Sequence, residues 1–315
     1  MNIKTRRPRI EEEGTLSQIW RIVFDDGDES AFFNYYFDPD LCIVATHGDI
    51  PIAAGYLLPV GNIICDKLSV PCAMIYGVAT LPEYRNRGFA AAVVHNLVLK
   101  AYSAGFSTVV LCPSNDGLFE YYHSHTEFHD WFYIKEHKFK SVLESGTVTG
   151  LIEITPHDYN QIRKSLLADI PHIEPDVRAL SYQKSLCNEL GGGLLCADTP
   201  GGESCAIVER QSNGILWIKE LLTPGGFEFD VIAAITSMFP AEEYVVRIPA
   251  RRHNSQCKNR LVQKPEREYN LRFLQPDKSK IDSVTKRFGM LTAPAPLLQA
   301  LLSYKTTPWF GLAFD

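Results

Sequence analysis

Apolar and polar positions along this chain switch between two periods, and the order of the switches predicts a layered α/β architecture. Between residues 15 and 37 the apolar positions keep helical spacing: Leu16, Ile19, Trp20 and Val23, then Phe32, Phe33 and Tyr36. The turn-forming DDGD at 25 to 28 divides them into two short helices. LCIVATHGDIPIAAGYLLPV reads as a hairpin, with an apolar strand from Leu41, an HGD turn and a second strand from Ile52. A further strand starts at Ala73 and stops before Pro82. Beyond Gly88, Ala90, Val93, Val94, Leu97 and Ala101 mark one face of an amphipathic helix that Gly105 closes. FSTVVLCP is a strand, DGLFEYYHSHTEF a short helix and WFYIKEHKF an aromatic strand.

Near residue 150 the same order restarts. TPHDYNQIRKSLLADI opens as a capped helix and a second helix covers 176 to 189. GGLLCAD, ESCAIVER and GILWIKELLTP follow as strands, FEFDVIAAITSMFP as a helix and EYVVRIPA as a strand. The repetition predicts a duplicated domain, divided at 148/149. Residues 251 to 315 open with the polar RRHNSQCKNR after Ala250, expected as an exposed loop, and close on KTTPWFGLAFD, too apolar for a frayed end and expected to dock.

Composition changes this picture little. The 315 residues are 45% hydrophobic and 22% charged, which suits two globular domains. A net charge of −6 argues against a general nucleic-acid or anionic-membrane partner, so any basic site must be local. Eight cysteines stand singly, without zinc spacing, and read as buried thiols; no metal is expected. The N-terminus has no apolar leader and no window is apolar enough to span a bilayer, so a cytoplasmic location is expected.

The candidate chemistry lies in PEYRNRGFA, residues 82 to 90. A strand running into Gly88 and then a helix leaves backbone N–H groups unpaired at the helix N-terminus, where the helix dipole also favours an anion. Gly88 permits close approach, Ala90 keeps the first turn slim, and Arg85 and Arg87 add charge, so a pyrophosphate is the expected ligand. Neither G-x-x-x-x-G-K-S/T nor G-x-G-x-x-G occurs, which argues against a nucleoside triphosphate or a dinucleotide. The corresponding segment of the second half, TPGGFEFD, has no arginine.

R-N-R-G-F-A, Arg85 to Ala90, matches the Q/R-x-x-G-x-G/A signature of the GNAT acyltransferases, and NDGLFEYY at 115 to 122 is similar to the family's N-x-x-A-x-x-x-Y helix. The resemblance covers about residues 15 to 140. It implies two GNAT-like domains, each a mixed, mostly antiparallel sheet flanked by helices, the second degenerate. It implies acetyl-CoA as acyl donor and a primary amine of a small molecule as acceptor. A peptide amine, and a non-catalytic acyl-CoA sensor, remain as alternatives, and a homodimer is compatible.

By the same resemblance the backbone of Val78, Ala79 and Thr80 would meet the pantetheine arm, and the amides of Arg85, Asn86, Arg87, Gly88, Phe89 and Ala90 the pyrophosphate. Asn115 would contact the cofactor and Tyr122 would protonate the departing thiolate. Leu118 replaces the usual small residue, and Glu127 and Phe128 alter the helix end, so Tyr121 stays open as a substitute for Tyr122. Glu83 is a weaker candidate base. The docked end is similar to that of acetyltransferases of the enhanced-intracellular-survival type, whose C-terminal carboxylate enters the active site, which would make Asp315 catalytic. His123, His125 and His129 lack metal-ligand spacing and are read as surface or pocket-wall residues.

Overall fold

A computed structural model describes residues 3–24, 29–140, 148–211, 213–250, 281–312 and 314. The expected DDGD turn, the 251–260 loop with Cys257, and Asp315 lie outside the described residues.

The first half runs β1 (Lys4–Arg6), α1 (Glu13–Phe24), α2 (Glu29–Tyr35), β2 (Cys42–His47), β3 (Ile50–Cys65), β4 (Leu68–Thr80), α3 (Phe89–Ser103), β5 (Thr108–Leu111), α4 (Asp116–His125) and β6 (His129–Phe139). The second runs β7 (Thr149–Glu153), α5 (Pro156–Leu166), β8 (His172–Glu174), α6 (Val177–Glu189), β9 (Gly193–Thr199), β10 (Gly202–Arg210), β11 (Ile215–Leu222), α7 (Glu228–Met238) and β12 (Glu243–Pro249). β13 (Asp282–Thr292) and α8 (Ala295–Leu302) follow. Two helices, a hairpin, a strand, a helix and a strand therefore recur in the same order. The helices begin where the sequence supplies caps: Asn115, Thr155 and Asp176 each accept a backbone N–H three residues on.

Among the described residues the strands form one sheet, in the order β1, β2, β3, β4, β5, β13, β6, β12, β11, β10, β9, β7, with β8 on β3. Its pairs are antiparallel except β4 with β5 and β11 with β12, which hold equivalent places in the two halves. The third strand of each hairpin system carries a bulge. On β4, Gly77 and Val78 stand opposite Gly55 alone, between the pairs Ala54–Ala79 and Tyr56–Tyr76. On β11, Lys219 is the extra residue between the partners of Ile207 and Val208. Gly77 is required at its bulge: its φ is +58°, and a Cβ would lie 2.4 Å from the Trp20 ring.

Apolar side chains cover both faces of the sheet. One face packs α1, α2, α5 and α6 over a core that includes Trp20, Phe32, Tyr56, Tyr159, Tyr182, Trp309 and Phe314. The other buries α3 and α4 over the first half, and α7 over the second. β13 was not foreseen. It threads between β5 and β6, pairing Met290 with Leu111 and Val284 with Glu136, so a strand from the end of the chain completes the sheet under α4.

Candidate active site

β4 and β5 run parallel through only three residue pairs, Cys72–Thr108, Ala73–Val109 and Met74–Val110. Beyond Met74 they part, and a wedge opens along Ile75–Thr80. Leu81 donates its N–H to Ile52 on β3, so ladder alternation turns the backbone groups of Thr80 and Val78 toward the wedge and those of Ala79 toward β3. Arg85 Nε donates to the Thr80 carbonyl at 3.1 Å, which agrees with that direction. Thr80 Oγ1 is buried without a hydrogen-bond partner among the described residues.

At the mouth of the wedge α3 begins on Gly88, with φ +84° and no side-chain cap, and no acidic residue stands in the first turn. The amides of Phe89 and Ala90 are therefore left for an anion. Asn86 is also left-handed, with φ +60°, which folds the corner back on the helix start. Arg85 and Arg87 are exposed, Arg87 lies 5.6 Å over the Tyr84 ring, and neither meets a carboxylate among the described residues. The corner is a local cationic cradle on an acidic protein. At the matching start of α7, Glu228 and Asp230 occupy the first turn, and an anion there would be repelled.

α4 lies beside the cradle. Asn115 is its N-cap, the Oδ1 accepting the Leu118 N–H at 3.1 Å, so that oxygen is committed to the helix, while the amide nitrogen donates to Ser114 Oγ at 3.4 Å. Tyr122 packs with Phe89, Phe119 and Phe128 and is only 8% exposed, and burial pushes its pKa well up. Tyr121 is half-buried, stacks on His125 and turns its hydroxyl to the Ala91 amide in the first turn of α3. His123 shows no acidic partner at metal-ligand spacing in the sequence, and the fold brings Asp130 to 3.0 Å of its ring. Among the described residues no three side chains are grouped as metal ligands.

The opposite wall of the wedge is aromatic. Trp20 and Phe24 of α1 and Phe32 and Phe33 of α2 pack against Tyr56 and Tyr76, and Phe314 arrives from the far end of the chain. Its carbonyl accepts from the Tyr76 hydroxyl at 3.0 Å, and its ring lies among Tyr36, Tyr76 and Tyr182. Tyr76 precedes the β4 bulge by one residue, so the docked end reaches the wedge.

A buried ion pair fastens that end. Glu220 on β11 and Arg163 on α5 are both fully buried and meet at 2.9 Å. The Tyr159 hydroxyl and the Trp309 indole donate to the same carboxylate, and Arg163 donates to the carbonyls of Ile173 and Phe310. Residues 171 to 173 add backbone bonds to Trp309. The apolar character of the end predicts docking, but the sequence carries no signal for this network, whose members are scattered over about 150 positions.

A wedge between parallel strands with an uncapped helix start at its mouth is an arrangement of the GNAT fold. Residues 4–125 match the model of the acetyltransferase (GNAT) domain. That part of the chain is a GNAT-family acetyltransferase domain, and such domains use acetyl-CoA as acyl donor. The whole chain shares its fold with a probable N-acyltransferase from Enterococcus faecalis V583, at 14% identity and a TM-score of 0.63 over 93% of this chain and 72% of that one. A GCN5-related N-acetyltransferase from Anabaena variabilis aligns at 15% identity and a TM-score of 0.63 over 93% and 73%. Eis1 from Mycobacterium abscessus aligns at 9% and 0.57 over 93% and 74%. No curated protein matches the sequence. No helix among the described residues is long and apolar enough to cross a membrane.

Proposed function

We propose that the protein transfers the acetyl group of acetyl-CoA to a primary amine of a small molecule, within a complex of both substrates. The observation that carries this reading is the α3 start: Gly88 without a cap, free amides after it, and Arg85 and Arg87 without carboxylate partners, all at the mouth of the β4/β5 wedge. The pyrophosphate fits the cradle, and the pantetheine arm fits along Val78 and Thr80, whose backbone groups point into the wedge. Residues 1–148 would hold this site. Residues 149–315 would form the second, degenerate half, which supplies the chain end.

In such a complex the amine nitrogen attacks the thioester carbon, the carbon–sulfur bond breaks, and the thiolate takes a proton. Tyr122 is the proposed donor, from its place on α4 seven residues after Asn115; Tyr121, bound to the Ala91 amide, is the substitute. Asp315 follows Phe314 and is the proposed base that accepts the ammonium proton. The aromatic wall supports a small amine over a peptide, because Phe314 and its ring neighbours close the face that an extended chain would need.

Calorimetry with acetyl-CoA, together with thiol release over a panel of amines, tests the reading. Binding without turnover on any amine would favour an acyl-CoA sensor. Tyr122→Phe is expected to lower turnover about a hundredfold while acetyl-CoA affinity changes little; a wild-type rate would transfer the role to Tyr121 or to water. Removing Phe314 and Asp315 is expected to leave a folded protein, because the Glu220 anchor at Trp309 is untouched, with turnover reduced by about tenfold or more. Full activity in that truncation would reduce the chain end to packing.

A further inference from the structure

We infer that Arg287, on the late strand β13, is a positioning residue for α4, and so for the cofactor side of the site. The inference rests on the proposed function, in which α4 supplies Asn115 and the proton donor. Arg287 reaches two carboxylates one turn apart on that helix, Asp116 at 2.8 Å and Glu120 at 2.9 Å. The nitrogen that meets Glu120, Nη1, also lies 3.5 Å from Asp130 on β6, and the guanidinium covers the Phe119 ring at 4.7 Å. Asp130 in turn meets His123, near the far end of α4.

The helix needs this hold. α4 has ten residues, and of these only Phe119 and Tyr122 are buried, so its own packing fixes it weakly. Asp116, Glu120 and Asp130 are like charges on one side of it, and Arg287 is the cation set among them. Without the arginine the helix loses both of its ion-pair ties to β13. The bulge at Arg287–Gly289 turns Arg287 to the α4 face while Phe288 enters the opposite core. Gly289 lies close under the end of β5, where a Cβ would meet the Leu111 carbonyl at 3.2 Å. A segment from the far end of the chain thus supports the wedge floor and clamps the helix above it.

Amide hydrogen exchange and calorimetry with acetyl-CoA on the full chain test this. In Arg287→Met the amides of 116–125 are expected to exchange about fivefold faster, with β3 and β4 protected as in the wild type. Acetyl-CoA affinity should fall about fivefold, and Arg287→Lys should regain most of both losses. Asp116→Asn with Glu120→Gln removes the contacts from the exposed helix face and should reproduce the Met result even if that variant folds poorly. Unchanged exchange in α4, no recovery with lysine, or an equal loss of protection in β3, β4 and α4 would overturn the inference. A wild-type protein that does not bind acetyl-CoA would sink the functional reading instead, while exchange in α4 would still decide the role of Arg287.

Discussion

Arg87→Glu combined with Gly88→Asp is expected to abolish acetyl-CoA binding while the protein stays folded. The cradle joins three favourable terms for a pyrophosphate: amides at an uncapped helix start, the positive end of the α3 dipole, and an arginine with no carboxylate partner. The double variant reverses the side-chain charge and places a carboxylate where the anion would lie. Losing two charge-assisted contacts and adding repulsion costs about 3 kcal/mol or more, roughly a hundredfold in affinity. Folding survives for local reasons. Both positions are exposed, and a Cβ on Gly88 meets nothing nearer than Ile3 Cδ1 at 3.5 Å. The left-handed φ costs an aspartate about 1 kcal/mol, which a carboxylate beside the helix N-terminus partly offsets. Calorimetry with acetyl-CoA reads the outcome, and an affinity equal to the wild type would remove the pyrophosphate from this corner.

The largest effect on stability is expected at the buried anchor of the chain end. Arg163→Met leaves the Glu220 carboxylate in the interior with, among the described residues, only Tyr159 and Trp309 as donors, and it deprives the carbonyls of Ile173 and Phe310 of their guanidinium. Breaking one side of such a pair costs about 3 to 5 kcal/mol. Burial alone would lower the pKa of Arg163, but the carboxylate of Glu220 beside it outweighs that and holds the guanidinium charged. Replacing both members, Arg163→Met with Glu220→Gln, should cost less than the arginine change alone, because no uncompensated charge stays inside. Denaturant unfolding of the two variants measures the difference. A double variant that loses more than the single would mean that the pair stabilises the fold outright. A loss below about 1 kcal/mol in Arg163→Met would mean that the interior relaxes around Glu220.

The element order was readable because each helix and strand of the two repeats carries its own period and its own cap. β13 escaped for the opposite reason. Its first half, Asp282–Lys286, is polar and exposed, and only Phe288 onward is buried, so no alternation marks it. It is a strand because β5 and β6 leave a place between them. Tyr76 and Tyr56 read as ordinary apolar strand residues, and only the packing of α1 and α2 turns them into the wall of the proposed site. Asn115 was legible as a motif position, yet the structure gives its oxygen a capping role that the motif does not record. The acidic partner of His123 was invisible, since Asp130 becomes its neighbour only when β6 folds beside α4.

What the sequence determined by itself is the cradle, from Val78 to Ala90, together with the helix that begins there. Backbone amides, a left-handed glycine and two arginines within one turn act through contacts a few residues apart, so their chemistry is written in consecutive letters. The tertiary structure decided what surrounds the cradle: the pairing of Tyr76 with Phe314 across 238 residues, the clamp of Arg287 on α4, and the burial of Arg163 with Glu220. Charge and shape complementarity depend on distance in space and leave no period along the chain, so these contacts exist only once the sheet has closed.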